Sequence, residues 1–399
     1  MSSTRNRKQG FATRAIHLGY APSSAQGALT APIYMTSTYA FETTEDGAAI
    51  FRGEKDGYIY GRTRNPTQAL LEQRLADLES GEAAVAFASG MAAISATLWS
   101  HLRAGDRIVV DRVLYGNTFA LMTHGVTRFG VQTDVVDFTD LDAVAEALKT
   151  PTRLVFFETP ANPNLRVIDI AAVSAMARGA GALTVVDNTF ATPLLQRPLE
   201  LGADLVVHSA TKYLSGHGDL LAGVVIGSAA LTKEIRLHGL RYMTGATISP
   251  LTAFLVMRGL KTLELRVRRH VETAQAVAAV MEKHRAVDRV YYPGLASHPH
   301  HALAKRQMDG FGGLIALELK GGFAAGAKFM DALTLASRAV SLGDAETLVQ
   351  HPASMTHASY SAEERAQHGI SEGLIRMSIG LETPEDILDD VQEALDHLI

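Results

Sequence analysis

The sequence predicts an α/β fold: a mostly parallel sheet covered on both faces, joined to a smaller second α/β domain. Two observations carry this expectation. Seven short apolar runs recur between residues 83 and 227, and helical stretches separate them, the alternation expected of strand–helix–strand units. Most runs are continuously apolar rather than alternating, as strands buried on both faces require. The 399 residues, 47% of them hydrophobic and 20% charged, suffice for two domains and a large core.

Residues 1–63 show little helical periodicity and many Gly, Thr, Ser and Tyr, and read as an extended arm ending in GYIYGRTRNPT. Such an arm cannot bury itself alone, so it is expected to wrap another part of the fold or another subunit. Asn65-Pro66 then supplies an N-cap followed by proline at the first helical position. Leu70, Leu71, Leu75 and Leu78 follow at helical spacing.

The expected strands are AAVAFAS (83–89), RIVVD (107–111), VQTDVVDF (131–138), RLVFFET (153–159), LTVVDNT (183–189), DLVVHSA (204–210) and LAGVVIG (221–227). MAAISATLWSHL and DIAAVSAMARGAG read as intervening helices. A helical region over about 250–285 leads into the second domain, where GLIALELKG and LIRMSIGLE read as strands. The expected divisions are an arm (1–63), a large domain (64–263) and a C-terminal domain (264–399).

Composition excludes several function classes. Lys plus Arg is 37 and Asp plus Glu is 42, giving a formal net charge of -5 with no basic stripe for nucleic acid. The absence of cysteine removes disulfides, iron–sulfur clusters and thiol catalysis, and suits a cytoplasmic protein. The basic N-terminus lacks the apolar core of a secretory signal. No run approaches the ~18 apolar residues of a membrane helix, so no membrane partner is expected. A glycine-rich dinucleotide fingerprint, a Walker A sequence and a G-x-S-x-G elbow are all missing. The histidines of SHPHH (His298, His300, His301) sit in a Pro-containing turn without a carboxylate set, so no metal is expected.

In open α/β sheets, ligands gather outside the carboxyl ends of the strands. Ser89, Gly90 and Met91 open a helix there, which makes an anion site or a plain tight turn. Asp187 ends LTVVD and reads either as a helix cap or as a fixed anion facing a cation. Lys212 follows the next strand, beside Ser209 and Thr211, and reads as a solvated lysine or as a desolvated amine nucleophile. Tyr115, after RIVVD, offers an aromatic plate. Together these residues meet the needs of pyridoxal 5'-phosphate: an amine for the aldehyde, an acid for the ring nitrogen, donors for the phosphate.

SATKYLSGHGD, VVDNTFATPLLQRPLELGAD, ETPANPN, YGRTRNPT and SLGDAETLVQHPASMTH resemble the Cys/Met-metabolism group of fold-type I pyridoxal-phosphate (PLP) enzymes, and within it the methionine γ-lyases. The resemblance runs from about residue 10 to the C-terminus. It implies that Lys212 links the cofactor and shuttles protons, that Asp187 pairs with the ring nitrogen, and that Tyr115 stacks on the ring and assists leaving-group protonation. Ser89, Gly90, Met91, Ser209 and Thr211 would hold the phosphate, with Asn162 near the phenolic oxygen. Tyr60 and Arg62 would reach the phosphate of a neighbouring subunit in a homotetramer of two active dimers. Arg376 would grip the substrate α-carboxylate, with Ser341 close by. Gly216 and Gly218 would let their loop pass close to the cofactor.

The implied activity is α,γ-elimination or γ-replacement on a γ-substituted L-amino acid. Two departures bear on the substrate. Asn117 stands where methionine γ-lyases carry cysteine, and Arg241-Tyr242 where they carry Lys-Asp, on the substrate side of the pocket. Asn offers hydrogen bonds that a thiol does not, which would suit the guanidinooxy group of canavanine, as in the canavanine γ-lyases. Glu54 and Asp56 would complement such a cationic leaving group or serve as surface charge. The alternatives are an O-acylhomoserine sulfhydrylase, a cystathionine γ-lyase or synthase, and a PLP-binding protein without catalysis.

Overall fold

All seven runs expected as strands of the large domain form: β1 (Ala83–Phe87), β2 (Arg107–Asp111), β3 (Gln132–Val136), β4 (Leu154–Glu158), β5 (Leu183–Asp187), β6 (Leu205–His208) and β7 (Gly223–Gly227). The computed structural model describes residues 9–355, 363, 365 and 369–399. Residues 1–8 of the expected arm, and Thr356 and His357 of the motif beginning at Ser341, lie outside the described residues.

The strands lie in the order β1-β7-β6-β5-β4-β2-β3. β3, β2, β4, β5 and β6 run parallel, while β7 is antiparallel to both its neighbours. β2, β4 and β7 are buried at every residue, which explains their unbroken apolar sequences. Register places Glu158 of β4 directly opposite Asp187 of β5.

The second sheet has five strands in the order β10-β11-β12-β9-β8, from β8 (Val287–Tyr291), β9 (Leu314–Leu319), β10 (Ser337–Arg338), β11 (Leu348–Gln350) and β12 (Leu374–Ser378). The two apolar runs named from sequence are β9 and β12. β8, β10 and β11 were not legible: β8 carries charged residues at Asp288 and Arg289, and the other two have two and three residues.

The expected helical region is two helices, Pro250–Leu260 and Leu263–Met281. The first ends where Arg266 Nη2 donates to the Gly259 carbonyl at 2.8 Å, satisfying an acceptor that a continuing helix would have used. The second helix joins the two cores. Leu263 and Val267 pack with the large-sheet cluster, and Ala274, Val277 and Met281 with the small-sheet cluster.

The arm is not wholly extended. Phe11–His17 and Thr44–Arg52 are helical, the second capped by Thr43, whose hydroxyl accepts the Asp46 N–H, and closed by Gly53 with positive φ. The first helix packs on its own chain: Arg14 pairs with Asp77 at 2.5 Å, and Ala12 N–H donates to Glu264. Beyond it, Leu29 and Met35 stand 85% and 70% exposed, apolar surface that a single chain leaves open.

Candidate active site

The parallel strands end at a cavity of about 320 Å³, where the sheet rule places a ligand. Eleven of the fifteen site residues named from sequence line it: Ser89, Gly90, Met91, Tyr115, Asn162, Asp187, Ser209, Thr211, Lys212, Ser341 and Arg376.

Its floor begins at the turn after β1. Ser89 caps the helix Gly90–His101, its hydroxyl accepting the Ala92 N–H at 3.1 Å. The Gly90 and Met91 N–H groups have no partner within the helix and sit at the positive end of its dipole. Glycine is required on both sides of this turn. A Cβ at Gly223 would lie 2.1 Å from the Ser89 carbonyl oxygen, and one at Gly90 would lie 2.9 Å from Ser209 Cβ.

Lys212 follows β6 and is largely out of water. Burial, then the Arg376 charge, lowers its pKa, while Asp344 opposes that shift. Its Nζ donates to Ser341 Oγ at 2.9 Å. Asp187 accepts the Thr189 N–H at 2.9 Å, and burial pushes its carboxyl above the ordinary range. It is a half-buried carboxyl that lines the cavity.

Arg376, on β12, is buried and donates to Asn162 Oδ1 at 2.8 Å and to the Ser341 carbonyl at 2.7 Å. With its amide oxygen turned inward, Gln350 also accepts from the guanidinium at 3.2 Å. Burial lowers the Arg376 pKa to about 10, which leaves it charged at neutral pH. A fixed guanidinium fork of this kind matches a carboxylate.

Four expected residues do not line the cavity of the single chain. Asn117 lies behind Tyr115, donating to its hydroxyl at 2.9 Å. Tyr60, Arg62 and Tyr242 form an exposed surface group: Arg62 donates to the Arg241 carbonyl at 2.7 Å and stacks on Tyr60, and Arg241 stacks on Tyr242. Glu54 and Asp56 are occupied by nearby arginines, Arg52 at 2.9 Å and Arg64 at 3.7 Å.

The loop after Lys212 corrects one expectation. Gly216 and Gly218 have positive φ, but the space beside them belongs to Arg266 and Asp344 rather than to the cavity. A Cβ at Gly216 would fall 1.8 Å from Arg266 Nη1. The Thr211 hydroxyl is also engaged, accepting the Ala222 N–H at 2.9 Å.

A family model described as "Cys/Met metabolism PLP-dependent enzyme" matches residues 12–396. The chain belongs to this family. Among its members, L-methionine gamma-lyase of Pseudomonas putida is 58% identical over 98% of both chains. L-methionine gamma-lyase of Fusobacterium nucleatum subsp. polymorphum is 53% identical over 98% of this chain and 99% of its own. A crystal structure of cystathionine gamma synthase from Xanthomonas oryzae pv. oryzae, in complex with aminoacrylate and cysteine, superposes with a TM-score of 0.93 at 43% identity, covering 98% of each chain. The fold is that of the fold-type I members of the PLP-dependent family, and the cofactor is pyridoxal phosphate.

This cavity fits the family's cofactor on its own geometry. The glycine-cleared helix end suits a phosphate, Asp187 suits a protonated ring nitrogen, and a desolvated lysine lines the same cavity. Sequence reasoning missed Glu158 and Gln350, which line the cavity, and Asp344, whose charge acts on Lys212. Glu158 ends β4 as Asp187 ends β5, a signal already present in RLVFFET. Gln350 and Asp344 lie on short or irregular segments that carry no periodicity.

Proposed function

We propose that this PLP-dependent enzyme is a carbon–heteroatom lyase acting at Cγ of a γ-substituted L-amino acid, with methionine its leading substrate. In that reaction methionine and water give methanethiol, ammonia and 2-oxobutanoate. The full-length identity to methionine γ-lyases carries this reading, and the cavity's residue set supports it.

Bound pyridoxal phosphate supplies an electron sink that acidifies the α- and β-protons of an attached amino acid. Lys212 Nζ, desolvated and aimed by Ser341, holds the cofactor and then moves protons at Cα. Asp187 keeps the ring nitrogen protonated. Gly90 and Met91 N–H groups, with Ser209 and Thr211, hold the phosphate, the Thr211 hydroxyl turning from Ala222 to do so. Arg376 orients the substrate through its α-carboxylate, exchanging its bond to Asn162 for the ligand. The Tyr115 hydroxyl delivers a proton to the departing γ-group.

Tyr60 and Arg62 complete the cofactor site of a neighbouring chain in a cytoplasmic homotetramer, which explains their distance from the cavity of their own chain. Among the described residues no helix is long and apolar enough to cross a membrane.

A second reading takes canavanine and water, giving homoserine and hydroxyguanidine. Asn117 supports it, because its amide faces Tyr115, the group proposed to serve the leaving atom. A third, γ-replacement or cystathionine chemistry, draws on the likeness to the synthase. A substrate panel of methionine, homocysteine, cystathionine, O-acylhomoserines and canavanine, with products identified by mass, separates them. Release of 2-oxobutanoate and methanethiol from methionine at the highest kcat/KM is the expected result. Cofactor binding without turnover of any panel member would overturn the lyase assignment.

A further inference from the structure

The strand end beside Asp187 carries a second carboxylate. Glu158 is 6% exposed, lines the cavity and sits directly across the β4–β5 ladder from Asp187. Burial and the adjacent Asp187 charge push its carboxyl well above the ordinary range. Two like groups in such a position are costly, so what Glu158 holds is informative.

It holds two segments of the cavity wall. The Tyr115 N–H donates to Glu158 Oε1 at 2.7 Å, and the Asn162 N–H also bonds to this carboxyl. Tyr115 belongs to the loop after β2, and Asn162 to the loop after β4 itself. The Asn162 side chain in turn meets Arg376 at 2.8 Å. One buried carboxyl therefore joins the aromatic plate to the residue that contacts the guanidinium fork.

We propose that Glu158 is a positioning residue that acts through Tyr115, its carboxyl fixing the Tyr115 backbone so that the ring stands over the cofactor position beside Asp187. Without this acceptor two backbone N–H groups lose their partner, and the loop carrying Tyr115 relaxes away. Ring stacking on the cofactor weakens as a consequence, although Glu158 need not touch the ring. The proposal rests on reading this cavity as the cofactor site.

The test is a double-mutant cycle on the dissociation constant of pyridoxal 5'-phosphate, measured by fluorescence quenching of the cofactor-stripped protein. Glu158→Ala, Glu158→Gln, Tyr115→Ala and the two double variants are compared with wild type. Glu158→Ala is expected to weaken binding about ten-fold, and Glu158→Gln less, since its one oxygen still accepts one N–H. In the Tyr115→Ala background both penalties are expected to shrink to about two-fold or less, because the ring they act through is gone. Equal penalties in both backgrounds would overturn the proposal, as would no penalty in either. Should Glu158→Ala not fold, the Glu158→Gln arm decides alone. Failure of the wild type to bind pyridoxal phosphate would instead overturn the cofactor-site reading.

Discussion

Lys212 and Ser341 are joined by a hydrogen bond of 2.9 Å across the cavity, from the segment after β6 to the loop between β10 and β11. Ser341 holds this position with φ 118°, a conformation costly for a residue bearing a Cβ. Its carbonyl meanwhile accepts from Arg376 at 2.7 Å. The strained serine thus aims the amine and steadies the guanidinium from one residue.

Replacing Ser341 separates these roles. Ser341→Gly removes the hydroxyl but suits the positive φ, so stability is expected to hold or rise by up to about 1 kcal/mol. kcat is expected to fall about ten-fold or more, because Lys212 loses its aim, while KM changes less, since the carbonyl that meets Arg376 remains. Denaturant titration and steady-state kinetics on one preparation check both. A stability loss matched by unchanged kcat would contradict this division.

The helix end at Ser89 depends on a missing side chain. Gly223→Ala places a methyl 2.1 Å from the Ser89 carbonyl oxygen, a backbone clash that must displace the turn. Cofactor affinity is expected to drop more than about ten-fold, with little change in helix content by circular dichroism. Wild-type affinity in this variant would show that the turn does not hold the phosphate.

Substrate choice is expected to respond to Asn117, whose amide donates to the Tyr115 hydroxyl. Asn117→Cys removes that donor, and the ratio of kcat/KM for methionine to that for canavanine is expected to rise by about ten-fold. An unchanged ratio would show that position 117 does not set the preference.

Acid should weaken the fold through two buried imidazoles. Burial lowers His270 and His298 to about 4, whereas in the unfolded chain they titrate near about 6.5. Between these values the unfolded state binds more protons, so stability is complete above about pH 6.5 and falls as pH drops toward 4. The urea midpoint is expected to decline across this window. His298→Asn, which keeps an acceptor for the His300 N–H but does not titrate, should lessen the decline. An identical slope in the variant would rule out His298 as a contributor.

Much of this architecture was legible because burial leaves a continuous mark. β2, β4 and β7 show it as unbroken apolar runs, and Asn65-Pro66 announces the helix Pro66–Leu78 by its cap chemistry. What escaped had no local signal. β10 pairs through only two residues, and Arg266, which fills the space beside Gly216, is 50 positions away in sequence. Among site residues, Glu158 was readable by the reasoning applied to Asp187, while Gln350 gains meaning only once β11 lies against Arg376 on β12. The arm helices Phe11–His17 and Thr44–Arg52, both under ten residues, are too short for periodicity to reveal.

Trapping the cofactor on the chain tests the reading most directly. Borohydride reduction of the purified enzyme, followed by proteolysis and mass spectrometry, is expected to place a pyridoxyl phosphate mass on the peptide containing Lys212. The Lys212→Ala protein should carry no such mass and lack the visible absorbance of lysine-linked cofactor. A label on another lysine, or a Lys212→Ala enzyme that keeps both absorbance and turnover, would contradict the assignment.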